Sequence, residues 1–104
     1  MPLDVISDTF EKEVIQAEHP VLIDFWGPQC RPCLALAPKV DELEKSYGGK
    51  VKFTKIDASK NRKLCLRLRV LSLPTFLFFK GGQEVDRLVG DVKIQDVENS
   101  LKKL

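Results

Sequence analysis

Cys30-Arg31-Pro32-Cys33 places two thiols three residues apart, a spacing that can open and close a disulfide. The pair follows an apolar run, Val21 to Trp26, and precedes a series at helical spacing, Leu36, Val40, Leu43 and Tyr47. It therefore falls where a strand hands over to a helix. Unpaired amides and the positive end of the helix dipole favour a thiolate there. Cys30, at the helix start, is expected to be the more exposed and more acidic thiol. Cys33, about one turn in, is expected to be buried, so that Cys30 attacks and Cys33 resolves. Residues three apart on a helix hold their Cβ atoms about 5–6 Å apart, and a disulfide needs about 3.8 Å, so closing the bridge asks for little movement. Pro32 sits in the first helical turn, where its missing amide costs nothing. Zinc also uses such pairs but needs about four ligands. Only a distant Cys65 and the single His19 remain to supply them, which leaves metal possible only through a dimer or a cofactor.

Asp24 interrupts Val21-Leu22-Ile23 and Phe25-Trp26, and strand alternation puts it on the face of Leu22 and Trp26. Burial would raise its pKa and make it a base able to take the Cys33 proton. Lys55, near the end of the next parallel strand, is placed to neighbour Asp24 and hold its charge. A carboxylate kept only for a structural hydrogen bond is the plainer alternative. Pro74 opens a strand, the position where a proline is tolerated, and its turn can hold either isomer. Cys65 reads as a small buried hydrophobe beside Leu64 and Leu68. Lys60, Arg62, Lys63, Arg67 and Arg69 read as a solvated helix face, with an acidic partner as the minority reading.

Positioning these groups requires a short opening, Leu3 to Ile6, and a helix capped by Ser7 or Asp8, with a box between Asp8 and Glu11. Phe10, Val14 and Ala17 would share that helix's inner face. His19-Pro20 ends it. Val21 to Trp26 fits a strand buried on both faces. The helix from Arg31 to Tyr47 contains Pro38, which predicts a kink, and Gly48-Gly49 stops it. A strand over Val51 to Ile56, a helix over Lys60 to Arg69, and a hairpin of Thr75 to Phe79 with Glu84 to Val89, the latter expected to alternate as an edge strand does, follow. Ile94, Val97, Leu101 and Leu104 stripe a closing helix. The sum is an α/β chain with a mixed sheet covered by helices on both sides.

At 104 residues the chain is the size of one domain, 1–104, with one core. Its 43% hydrophobic content is enough to build that core. With 17 basic and 15 acidic residues, the net charge of +2 carries no field that would gather nucleic acid or an anionic membrane. No run reaches the roughly 18 apolar residues of a membrane span, and Met1-Pro2-Leu3-Asp4 does not read as a signal peptide. A cytoplasmic location is expected, where structural disulfides do not persist and a close cysteine pair is reactive instead.

Asp24-Phe25-Trp26-Gly27-Pro28-Gln29-Cys30-Arg31-Pro32-Cys33, Pro38, Lys55, Leu73-Pro74-Thr75 and Gly90 together resemble the thioredoxin family over almost the whole chain. The resemblance implies a central mixed five-stranded sheet flanked by four helices and a dithiol that reduces protein disulfides. It implies Cys30 as nucleophile, Cys33 as resolving thiol, Asp24 with Lys55 as the proton-handling pair, and a cis Pro74 facing the disulfide. Trp26, Gly27, Pro28, Arg31, Pro32, Leu73, Pro74, Val89 and Gly90 would receive the substrate polypeptide. No cofactor beyond the redox disulfide and no metal are implied. The implied partners are protein disulfides and a flavoprotein thioredoxin reductase, with the chain acting as a monomer and meeting neither nucleic acid nor membrane. The sequence departs from the family pattern at Gln29, Arg31 and Leu34, positions that bear on redox potential and partner choice. Two other readings stand beside it: a thioredoxin-like binding or scaffold module without catalysis, and a dimer holding an iron-sulfur cluster through Cys30 and Cys33.

Overall fold

A computed structural model describes residues 1–104. In chain order the elements are β1 (Leu3–Asp4), α1 (Ser7–Phe10) continuing as a π-helical turn (Glu11–Ile15), β2 (Val21–Trp26) and α2 (Arg31–Tyr47). Then come β3 (Lys52–Asp57), a 3-10 turn (Ala58–Lys60), α3 (Arg62–Arg67), β4 (Thr75–Lys80), β5 (Gln83–Val89) and α4 (Ile94–Lys102). The strands form one sheet in the order β1-β3-β2-β4-β5. β3 runs parallel to β1 and β2, whereas β4 is antiparallel to both β2 and β5.

β2 occupies the centre because both its faces are apolar, and Val21 through Phe25 are all buried. Alternation divides the core between the two faces of the sheet. Ile23, Phe25 and Leu77 pack with Val14, Leu64 and Val70 on one side. Leu22, Phe76 and Phe78 pack with Leu36 and Val40 of α2 and Val97 and Leu101 of α4 on the other. Phe10 reaches the first of these layers edge-on to Phe79, with ring centroids 6.0 Å apart.

Four local expectations are corrected. The first helix is not capped by Ser7 or Asp8, nor does it use an Asp8–Glu11 box. Ile6 is the cap: its N–H donates to Thr9 Oγ1 at 3.1 Å, and Thr9 N–H donates to the Ile6 carbonyl at 3.0 Å. Nor does the helix stay α-helical, since Gln16 N–H donates five residues back to the Glu11 carbonyl at 2.9 Å. The helix expected over Lys60 to Arg69 is shorter, because the Asp57 carboxylate caps a separate 3-10 turn through Ser59 N–H. Asn61, buried between Ser7 and Asp57, breaks the chain at φ −135° before α3 begins. Finally, the alternation of β5 is broken at Val85, where Phe78 pairs with Asp86 but Phe79 pairs with Glu84. The extra residue sends Asp86 inward, where it accepts from Ser100 Oγ at 2.7 Å. The hairpin itself turns on Gly81 and Gly82, both at positive φ, as a two-residue turn between twisted strands requires.

The bulge also aims Arg87 at the end of α3. Its guanidinium donates to the carbonyls of Leu68 at 2.7 Å and Arg69 at 2.9 Å while pairing with Glu84 at 2.7 Å. Arg69 itself lies at φ 58° and ends the helix. Arg87→Met keeps the aliphatic stem but abandons these acceptors, so it should lower stability by about 1–3 kcal/mol. Urea midpoints measure that loss, and hydrogen exchange should quicken at the amides of Arg69 and Val70 if the clamp is what holds this corner.

Candidate active site at the start of the long helix

The carboxyl end of β2 delivers the chain to a tight turn in which Cys30 N–H donates to the Gly27 carbonyl at 3.1 Å. Cys30 then caps α2, and Cys30 and Cys33 are joined in a disulfide with their Cα atoms 5.3 Å apart. Cys33 N–H, one of the helix's unpaired N-terminal amides, donates to Cys30 Sγ at 3.2 Å. An amide aimed at sulfur stabilises a thiolate there. Cys30 is partly exposed and Cys33 only 3% exposed, the asymmetry anticipated from their places on the helix. Pro32 lies in the first turn, and α2 runs on through Pro38.

Cys33, Leu36 and Val40 belong to the buried face of α2, and that face covers the sheet side on which Leu22 and Asp24 lie. Asp24 is buried, and its Oδ1 has no hydrogen-bond partner. Burial pushes its pKa up to about 7; the cation of Lys55 pulls it down and the carboxylate of Asp41 adds to the rise. Lys55 stands directly opposite Asp24 in the parallel register. Its amine, however, lies 5.8 Å from the centre of the Trp26 ring and 4.0 Å from Asp4. Lys55 is thus a neighbouring charge rather than an ion-pair partner of Asp24, and desolvation outweighs it.

The Leu73-Pro74 bond is cis, Pro74 is buried, and Gly90 N–H donates to the Pro74 carbonyl at 3.2 Å. Gly90 has φ 88°, which a side chain would strain, and so its backbone can turn beside Pro74. Gly27 is packed so close to Leu73 that an added methyl would sit 3.2 Å from Leu73 Cδ1. Gly27, Pro28, Cys30 and Leu73 share a groove of about 640 Å³. Arg31, Pro32 and Val89 are exposed around the disulfide end of the fold. Trp26 instead borders a second depression with Asp57 and Lys60. The groove also has a wall that sequence reasoning did not assign to it, supplied by α3 and the loop after it, including Arg62, Cys65, Leu66 and Leu71. Its only sequence signal is that Leu66 falls out of phase with the inward-facing Leu64 and Leu68; Leu71 keeps their phase but lies beyond the end of α3. Cys65 is a free thiol, and burial pushes its pKa up, as fits the small buried hydrophobe expected there.

A parallel-to-antiparallel sheet carrying a disulfide at a strand-to-helix junction, opposite a cis-proline loop, defines a dithiol oxidoreductase of the thioredoxin fold. The thioredoxin family model matches residues 2–103, and the chain belongs to that family. It is 47% identical over 98 residues to a thioredoxin of Acetoanaerobium sticklandii, covering 93% of each chain. It is 41% identical over 99 residues to thioredoxin 1 of Nostoc sp., covering 95% of this chain and 92% of the other. An M-type chloroplastic thioredoxin of Pisum sativum is 37% identical over 102 residues, covering 97% of this chain and 59% of its own. The chain is accordingly a thiol-disulfide oxidoreductase that reduces protein disulfides, with a redox-active disulfide as its working group. Membership also implies a thioredoxin reductase as the general class of electron donor. Neither the scaffold reading nor the iron-sulfur reading finds support in these likenesses. No helix is long and apolar enough to cross a membrane.

Proposed function

We propose that Cys30 is the attacking thiolate, Cys33 the resolving thiol and Asp24 its base. The Cys30 thiolate attacks one sulfur of a substrate disulfide, forming a mixed disulfide and expelling the other sulfur as a thiolate that takes a proton from solvent. Asp24 accepts the Cys33 proton. The Cys33 thiolate then attacks Cys30 Sγ, closing the Cys30–Cys33 bridge and releasing the second substrate thiol. Two electrons pass from the dithiol to the substrate. The observation that carries this reading is the Cys33 N–H aimed at Cys30 Sγ at 3.2 Å. Lys55 tunes the Asp24 charge from the next strand, while Trp26, Gly27, Pro28, Arg31, Pro32, Leu73, Pro74, Val89 and Gly90 receive the substrate chain. In the reduced protein Cys30 should alkylate with a thiolate pKa below the ordinary value of about 8.5, and much faster than Cys33. Equal alkylation profiles would contradict the assignment.

The finer reading is a monomeric domain, residues 1–104, working in the cytoplasm and recharged by a flavoprotein reductase, without nucleic-acid or membrane partners. The bacterial relatives and the small net charge of +2 support it; a chloroplast setting, as in the pea relative's name, is the competing location.

Arg31 tunes the couple. Its exposed cation, one residue from Cys30, stabilises the thiolate and therefore the reduced form. A charge at a helix terminus is worth about 0.3–1 kcal/mol, and about 30 mV corresponds to 1.4 kcal/mol for two electrons. Arg31→Gly should therefore lower the midpoint potential by about 5–20 mV at low salt and less at high salt. A potential that stays put or rises assigns Arg31 to partner recognition alone.

A further inference from the structure

The groove beside Cys30 continues along α3, and nothing in the thiol chemistry uses that far wall. Between Ala58 and Val70 the chain carries Lys60, Arg62, Lys63, Arg67 and Arg69 and no acidic residue. All five cations are exposed and none forms an ion pair. Burial of Leu64 and Cys65 fixes the rotation of α3. The i, i+4 spacing then puts Arg62 and Leu66 together on the groove side and Lys63 and Arg67 on the outer side. Arg62 is the groove's one charged lining residue. Leu66 is 65% exposed and Leu71 80% exposed, both lining the same groove as Cys30. Exposed leucines set in a cationic rim, continuous with a reactive sulfur and clamped in place by Arg87, make a preformed surface rather than a solvated helix face.

We propose that this wall docks the polypeptide carrying the substrate disulfide and selects partners that present an apolar side chain flanked by carboxylates beside the reactive cysteine. The proposal rests on the disulfide-reductase reading above and adds the chemical class of its partners. The partner's apolar side chain would cover Leu66 and Leu71. Its carboxylates would meet Arg62 and the field of the four neighbouring cations, speeding the encounter and setting the direction in which the chain lies.

Two synthetic peptides with one intramolecular disulfide each test this, one bearing Glu-Leu-Glu beside the reactive cysteine and the other Lys-Leu-Lys. The wild type should reduce the acidic peptide with a kcat/KM about tenfold higher at low salt. The preference should fade in about 1 M salt, where charges are screened beyond about 3 Å. Arg62→Glu should cut the rate on the acidic peptide about fivefold or more and raise the rate on the basic one. Leu71→Ser should slow both peptides severalfold without changing the salt dependence. A wild type that reduces both peptides alike, or variants that leave the preference intact, would overturn the docking surface while leaving the reductase reading in place. A wild type that opens neither peptide would overturn both. Sedimentation showing a dimer that Leu71→Ser dissolves, with peptide rates unchanged, would give the wall to a second copy of the chain and overturn the proposal.

Discussion

Serine at position 33 is expected to turn the protein into a covalent trap, whereas serine at position 30 should reduce disulfide reduction to the uncatalysed background. The two thiols differ in setting: Cys30 is partly exposed and receives the Cys33 amide, and Cys33 is 3% exposed beneath it. With Cys33→Ser the attack step survives, so the substrate remains bound to Cys30 as a mixed disulfide until an outside thiol releases it. With Cys30→Ser the two remaining thiols, Cys33 and Cys65, are buried and neither holds the helix-capping position, and no adduct should form. Mass spectrometry after incubation with a protein disulfide distinguishes the two outcomes. Adducts on Cys33 in the Cys30→Ser protein, or none in either variant, would reverse or remove the assigned roles.

Asp24→Asn should stabilise the fold at neutral and alkaline pH while slowing resolution. The Asp24 carboxyl has an ordinary value of 3.8 and is pushed to about 7 by burial. Between those values the folded protein holds a proton that the unfolded chain has lost, so stability falls as pH rises from about 4 to 7 and stays at its lower level above. About three pKa units correspond to roughly 4 kcal/mol. The variant should therefore gain on the wild type by an amount that grows toward that figure by pH 8 and is small at pH 4. Urea midpoints at the two pH values measure it. Loss of a positioned base should also slow breakdown of the mixed disulfide by about 10²-fold or more. A stability difference independent of pH would mean that Asp24 ionises freely in the folded protein. A difference that grows with pH as described would support the base proposed for Cys33 over a group kept for packing.

Where the local pattern and the tertiary contact coincide, the sequence is legible. The doubly apolar run of β2, the periodicity of α2 and the cysteine pair at their junction are of this kind, and so is Asp24, whose burial follows from alternation alone. Long-range geometry is not written locally. β1 is two residues that become a strand only through pairing with Thr54 and Lys55. The bulge at Val85 leaves only a faint trace, two polar residues in a row at Asp86 and Arg87 that also suit an exposed edge strand, yet it decides that those two face Ser100 and α3. Lys55 illustrates the halfway case: strand register brings it opposite Asp24, but the reach of a long side chain lets its amine settle by Trp26 and Asp4 instead. The α3 wall was missed because a helix read by itself shows which leucines point inward but not what the outward ones border.

A stoichiometric reaction of the reduced protein with insulin, quenched with acid and alkylated for mass mapping, tests the central claim most directly. One insulin disulfide should open for each Cys30–Cys33 bridge that closes, with Cys65 recovered as an alkylated thiol throughout. Insulin left intact, or opened with oxidation appearing at Cys65 while Cys30 and Cys33 stay reduced, would contradict the account.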